Sequence, residues 1–117
     1  MRLRRCYLTV MSKFTIADLE QRISDRASAS AEQSYTRQLL DRGVAQCAKK
    51  FGEEAVEAVL AAVGEDRDRM IGEAADVLYH LLVVLRARGI KLSEIETLLE
   101  TRSKKSGLDE KASRPRE

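Results

Sequence analysis

The sequence predicts an all-α protein, a helical bundle of about four to five helices completed by dimerisation. Three observations predict it. Aromatic residues make up 4% of the chain and there is one proline, so the 44% of hydrophobic residues are mostly Leu, Val, Ile and Ala, a mixture with few chain breakers that favours helices over sheets. Apolar residues recur at helical spacing through most of the chain. At 117 residues the chain makes one small domain with a modest core, and association is the expected way of burying more.

The elements follow in order. Thr15 can cap a first helix over 16–27, with Asp18 near its positive end and Ile16, Leu19 and Ile23 on one face. SASAEQ (28–33) is small and polar and reads as a loop. Ser34 caps a short second helix over 35–42, with Gly43 as its stop or as a hinge into the next helix. A third helix covers 44–63 and breaks at Gly64-Glu65-Asp66. Asp66 or Asp68 opens a fourth helix that runs to Arg88 and stops at Gly89. Ser93 with Glu96 fits a capping box that opens a last helix over 94–105. Residues 106–117 read as a polar, basic tail with a solvated, frayed end.

Several function classes drop out on composition. A net charge of +2 gives no reason to invoke nucleic acid. No apolar run approaches the roughly 18 residues of a membrane span. Cys6 and Cys47 form neither a disulfide framework nor a zinc spacing, which fits reduced thiols in a cytoplasmic protein. MRLRRCYLTVM has too short an apolar run for a signal peptide. An organised helix signal begins directly after Met11, so residues 1–10 are read as an upstream extension, 11–105 as the domain and 106–117 as the tail.

Five acids stand inside apolar helical patterns: Glu53, Glu54 and Glu57 in the third helix, Glu73 and Asp76 in the fourth. At about 100° per residue, Ala48, Phe51, Ala55, Val59 and Ala62 make one apolar stripe on the third helix. Glu54 and Glu57 lie away from it, on a strip about 60° wide that includes Lys50, and Glu53 flanks them about 40° further round. On the fourth helix Arg69, Glu73, Asp76 and His80 share a face that continues as Val83, Val84 and Ala87, while the opposite side (Ala74, Val77, Leu78, Leu81, Leu82, Leu85) is apolar throughout. A solvated face would stay polar. This helix is therefore expected to be nearly all buried, with its acids aimed into a pocket.

Buried carboxylates without partners are unfavourable by several kcal/mol or more. A cation among them resolves this. Four carboxylates from two antiparallel helices, Glu54, Glu57, Glu73 and Asp76, form an all-oxygen site for Mg²⁺, with Mn²⁺ as a substitute, and not for zinc. Mg²⁺ favours phosphate oxygens, so the implied substrate carries phosphates. The bland alternative is a hairpin whose acids pair on the surface with Lys49, Lys50, Arg67 and Arg69. A di-iron site would need Glu-x-x-His pairs, and the one histidine here is spaced Asp-x-x-x-His.

These residues also carry a family likeness. EExxE followed by ExxD on successive helices resembles the all-α, MazG-like nucleotide pyrophosphohydrolases. SYTRQLLDRG (34–43), KKFGEEAVEAVLAA (49–62), GEAADVLYHLLVVLRARG (72–89) and the following KLSEIE resemble the phosphoribosyl-ATP pyrophosphohydrolases of histidine biosynthesis, from about Phe14 to the tail. The resemblance implies cleavage of the α–β phosphoanhydride of phosphoribosyl-ATP by metal-assisted water attack, giving phosphoribosyl-AMP and pyrophosphate. It implies Mg²⁺ on Glu54, Glu57, Glu73 and Asp76, with Glu53 as a further candidate ligand. Lys50 matches a basic position beside the cluster, and Tyr35 and Thr36 lie in a characteristic segment. Arg69 and His80 join them as candidate substrate-binding residues. It further implies homodimers or higher homo-oligomers with active sites at or near the interface. The alternatives are a related pyrophosphohydrolase of canonical or damaged nucleoside triphosphates, and a non-enzymatic helical interaction module.

Overall fold

The computed structural model describes residues 13–105 and 107–115. The expected extension (1–10), the start at Met11 and Cys6 lie outside the described residues. Six helices are found among the described residues: α1 (Ile16–Ala27), α2 (Tyr35–Asp41), α3 (Val44–Val63), α4 (Arg67–Ala87), α5 (Leu92–Ser103) and α6 (Gly107–Ser113). The fold is all-α, as expected.

Helix starts follow local chemistry. The Thr15 hydroxyl accepts from the Asp18 amide at 3.1 Å and the Asp18 carboxylate accepts from the Thr15 amide at 2.9 Å, a reciprocal box that satisfies two donors at the start of α1. Ser34 accepts from the Arg37 amide at 3.1 Å and donates to the Arg26 carbonyl at 3.0 Å, joining the start of α2 to the last turn of α1. Arg37 and Gln38 donate to the carbonyls of Ala29 and Ala31, so α2 holds the intervening loop. Gly43, at φ 91°, lets the chain turn from α2 straight into α3. Asp66 caps α4 through the Arg69 amide at 3.2 Å.

The last long helix corrects the expected register. α5 begins at Leu92 and ends at Ser103, not over 94–105. Glu94, and not Glu96, reaches back, accepting from the Lys91 amide at 2.8 Å. The Leu92 amide donates to the Glu20 carboxylate of α1 at 2.7 Å, and this tertiary bond sets where the helix starts. Within the expected tail, Gly107–Ser113 forms the short α6.

α3 and α4 form a long hairpin, and α1 and α2 pack across one end of it. The core gathers Ile23, Leu39, Cys47, Leu82 and Val83, flanked by Leu19, Tyr79, Val84 and Leu92. The expected apolar stripe on α3 is not the inward one. Ala48, Val59 and Ala62 are exposed, whereas Cys47, Phe51, Glu54, Ala58 and Ala61 are buried or partly buried, the heptad-like recurrence of a helix facing one neighbour. Glu54 thus lies on the packing face, not away from it. On α4 the face that begins acidic is the one that enters the core, at His80 and Val83, while Ile71 and Leu78 on other sides stay exposed. The helix is therefore less completely buried within one chain than its sequence implied.

Candidate active site

Turned inward on α3, Glu54 meets the first half of α4. One carboxylate oxygen from each of Glu54, Glu73 and Asp76 lies within 4.8 Å of the others. The Glu54 side chain is 16% exposed, Glu73 is partly buried and Asp76 is open to solvent, so the trio stands where the α3–α4 packing face meets solvent. Three carboxylates this close repel one another, most strongly where solvent is partly excluded. The donor set is all oxygen, the chemistry of a hard divalent cation, and the spacing is compatible with one.

Basic side chains flank the trio along α3 on both sides. One turn earlier, Lys50 Nζ lies 3.1 Å from Glu54 Oε1. That hydrogen bond and the glutamate charge hold the Lys50 pKa above its ordinary value, so the ammonium form persists across the neutral range. One turn later, Glu57 stands outside the trio and is half exposed, with Arg69 Nη2 at 3.5 Å from its Oε2. Glu53 is exposed and lines a polar pocket together with Lys49 and Lys50. Of the four carboxylates expected to converge, the structure brings three together and pairs the fourth with an arginine.

The remaining candidates gather around His80, which feels the charges of Glu54 and Asp76. His80 is 5% exposed; burial lowers its pKa, with Lys50 adding to the shift and Glu54 and Asp76 opposing it, which favours the neutral imidazole at pH 7. Tyr35 stands edge-on to His80 with ring centroids 6.4 Å apart, and Tyr79 does so at 4.9 Å. Tyr35 is 52% exposed and can meet a ligand. Thr36 is 1% exposed and its hydroxyl is hydrogen-bonded to the Tyr79 hydroxyl at 2.5 Å, which places it behind the site and not on a substrate surface. Tyr79 was not among the expected residues. Its signal was present, as a polar tip within the otherwise apolar DVLYHLLVVL run, since a buried Tyr hydroxyl needs a partner.

Known proteins share this chain's sequence over most of its length. The family model described as phosphoribosyl-ATP pyrophosphohydrolase matches residues 16–103. A protein of Bradyrhizobium diazoefficiens named phosphoribosyl-ATP pyrophosphatase 1 is 62% identical over 104 residues, 89% of this chain and 98% of the relative. A protein of the same name from Rhodopseudomonas palustris is 55% identical over 107 residues, 92% of this chain and 100% of its own length. A phosphoribosyl-ATP pyrophosphatase of Methylobacterium nodulans is 56% identical over 106 residues, 91% and 99% respectively. The matched stretch runs from the first residue of α1 to the last of α5 and includes the whole carboxylate hairpin. By this match and these identities, the chain belongs to the phosphoribosyl-ATP pyrophosphohydrolase family.

Proposed function

We propose that this enzyme hydrolyses phosphoribosyl-ATP to phosphoribosyl-AMP and pyrophosphate, the second step of L-histidine biosynthesis, by cation-assisted attack of water. The Glu54–Glu73–Asp76 cluster, with oxygens within 4.8 Å, is the observation that carries the reading. The cation is Mg²⁺, with Mn²⁺ able to replace it, because both are hard ions that accept all-oxygen ligation alongside phosphate. A divalent cation on these carboxylates would supply neutralising charge for the substrate's phosphate oxygens and for the departing pyrophosphate.

The chain's own residues do the rest. Lys50 keeps its charge beside Glu54 and is placed to meet a phosphate oxygen. The Arg69–Glu57 contact is long and half exposed, and such surface pairs are worth little. Arg69 can therefore exchange Glu57 for a pyrophosphate oxygen, and Glu57 is then free to take the proton of the attacking water. Tyr35 offers an aromatic surface to the nucleoside, held from behind by His80. Glu53 lies beside the site as a flanking carboxylate. Residues 11–105 make up the catalytic domain, a reading supported by the family match over 16–103. The working protein is a cytoplasmic homodimer or larger homo-oligomer.

The test is pyrophosphate release from phosphoribosyl-ATP with and without Mg²⁺, with dCTP and dUTP as competing substrates. Glu54→Gln and Asp76→Asn are expected to lower release more than about a hundredfold while helical content is kept. They are also expected to abolish the Mg²⁺-induced rise in melting temperature. Unchanged turnover and unchanged Mg²⁺ response in both variants would sink the proposal.

A further inference from the structure

Along α3 the carboxylate trio has unlike surroundings on its two sides. Toward the C-terminal end stands Arg69 on Glu57. Toward the N-terminal end lies a cavity of about 240 Å³ whose walls include Tyr35, Arg42, Gln46, Lys49, Lys50 and Glu53. Three cations face one carboxylate there. Lys50 is tied to Glu54, but the side chains of Arg42 and Lys49 have no ion-pair or hydrogen-bond partner among the described residues. Two unneutralised cations in a polar recess beside a phosphate-handling site mark it as a place for an anion.

Which anion follows from the reaction's geometry. The nucleoside and the pyrophosphate lie on either side of the scissile α–β bond, so with that bond on the trio the two ends of the substrate extend away from it in different directions. Tyr35, the exposed aromatic ring, is on the N-terminal side, so that side takes the nucleoside and the Arg69 side takes the pyrophosphate. Phosphoribosyl-ATP differs from ATP in carrying a ribose phosphate on its base, a dianion remote from the triphosphate. From Glu54, Lys49 is about 7.5 Å and Gln46 about 12 Å back along the helix axis, a span suited to a group lying beyond the base.

We propose that Arg42 and Lys49, with Lys50 at the inner edge of the recess, form a subsite for the ribose phosphate of the phosphoribosyl arm and thereby select this substrate over ordinary nucleoside triphosphates. The proposal rests on the reading that phosphoribosyl-ATP is cleaved at the Glu54–Glu73–Asp76 cluster. Arg42 and Lys49 act there by their positive charge, each carried on a long side chain that can reach the phosphate.

The experiment compares wild-type protein with Arg42→Gln, Lys49→Gln and the double variant. Each loss is expected to raise KM for phosphoribosyl-ATP about tenfold, with kcat changed by less than about threefold. Inhibition by ATP and by inorganic pyrophosphate should stay at wild-type strength, since neither carries the second phosphate ester. The Mg²⁺-induced melting shift should also stay. The charge-conserving double variant R42K/K49R should keep KM near wild type, which separates lost charge from lost folding. An unchanged KM in the double Gln variant overturns the proposal. So does a parallel weakening of ATP and pyrophosphate inhibition, which would make the recess a polyphosphate site, or an equal KM defect in R42K/K49R. A wild-type protein that does not turn over phosphoribosyl-ATP would defeat the underlying reading, and this one with it, before any variant is compared.

Discussion

Tyr79 shows how one side chain links packing to the site. Its hydroxyl is bonded to Thr36, which is buried on α2, and its ring supports His80, whose other neighbour is the exposed Tyr35. Burial pushes the Tyr79 pKa above the ordinary 10.0, with the Thr36 bond opposing the shift. A phenol whose folded pKa is raised gives stability that is present below pH 10 and lost above it, because the unfolded chain ionises first. Tyr79→Phe removes the hydrogen bond and strands the Thr36 hydroxyl, at a stability loss of roughly 1–2 kcal/mol near neutral pH. It also removes the ionisable group. The gap in urea midpoint between wild type and variant is therefore expected to narrow between pH 8 and pH 11, and a gap that widens would contradict this account. Cys47 shares the same sign: burial raises its pKa above 9.0, so the thiol stays protonated and unreactive while the fold holds.

At the scale of elements, cap chemistry decided most boundaries. The end of α4 is a clear case. Gly89 sits at φ 69°, and the Ile90 amide closes back on the Leu85 carbonyl at 2.9 Å, the six-to-one bond of a Schellman motif. A Cβ added at Gly89 would meet nothing within 4 Å, so only the left-handed backbone penalises a substitution. Gly89→Ala is expected to cost about 1 kcal/mol and Gly89→Asn clearly less, since Asn visits this region more readily; thermal melts of the two would check the order. Starts at Thr15, Ser34 and Asp66 were legible because each cap is written within four residues of chain. The start of α5 was not, because Ser93 and Glu96 satisfy the same local pattern and a bond from Glu20, far away in sequence, selects Leu92. Site legibility followed the same division. Glu73 and Asp76 could be placed from α4 alone, where the acidic face runs into Val83. On α3 the sequence picks out Glu54 but sets it beside Glu57 and away from the packing face, because α3 is apolar on two sides and residue type cannot say which side faces the hairpin.

That second apolar side of α3 is a property of the whole molecule. Val56, Val59, Leu60 and Val63 are exposed, Val63 at 81%, and Ile71 and Leu78 on α4 are exposed with them. Among the described residues the fully buried apolar set of one chain is Ile23, Leu39, Cys47, Ala61, Leu82 and Val83, a small core for a chain of 117 residues. An apolar patch of this kind on a helical hairpin is what a second hairpin covers. Completing the burial of one half-exposed Val or Leu contributes about 1 kcal/mol. Several such residues on each copy give a favourable area term that a charge at the centre would reverse, because a carboxylate there would lose its hydration without a partner. Wild-type protein is therefore expected to sediment as a dimer or larger homo-oligomer across a dilution series. Val59→Asp and Leu60→Asp should shift it toward a monomer of lower melting temperature, whereas Lys104→Asp, at a highly exposed side chain at the end of α5, should not. A wild-type chain that sediments as a monomer throughout, or aspartates at Val59 and Leu60 that leave the sedimentation unchanged, would show that this face meets something other than a second copy.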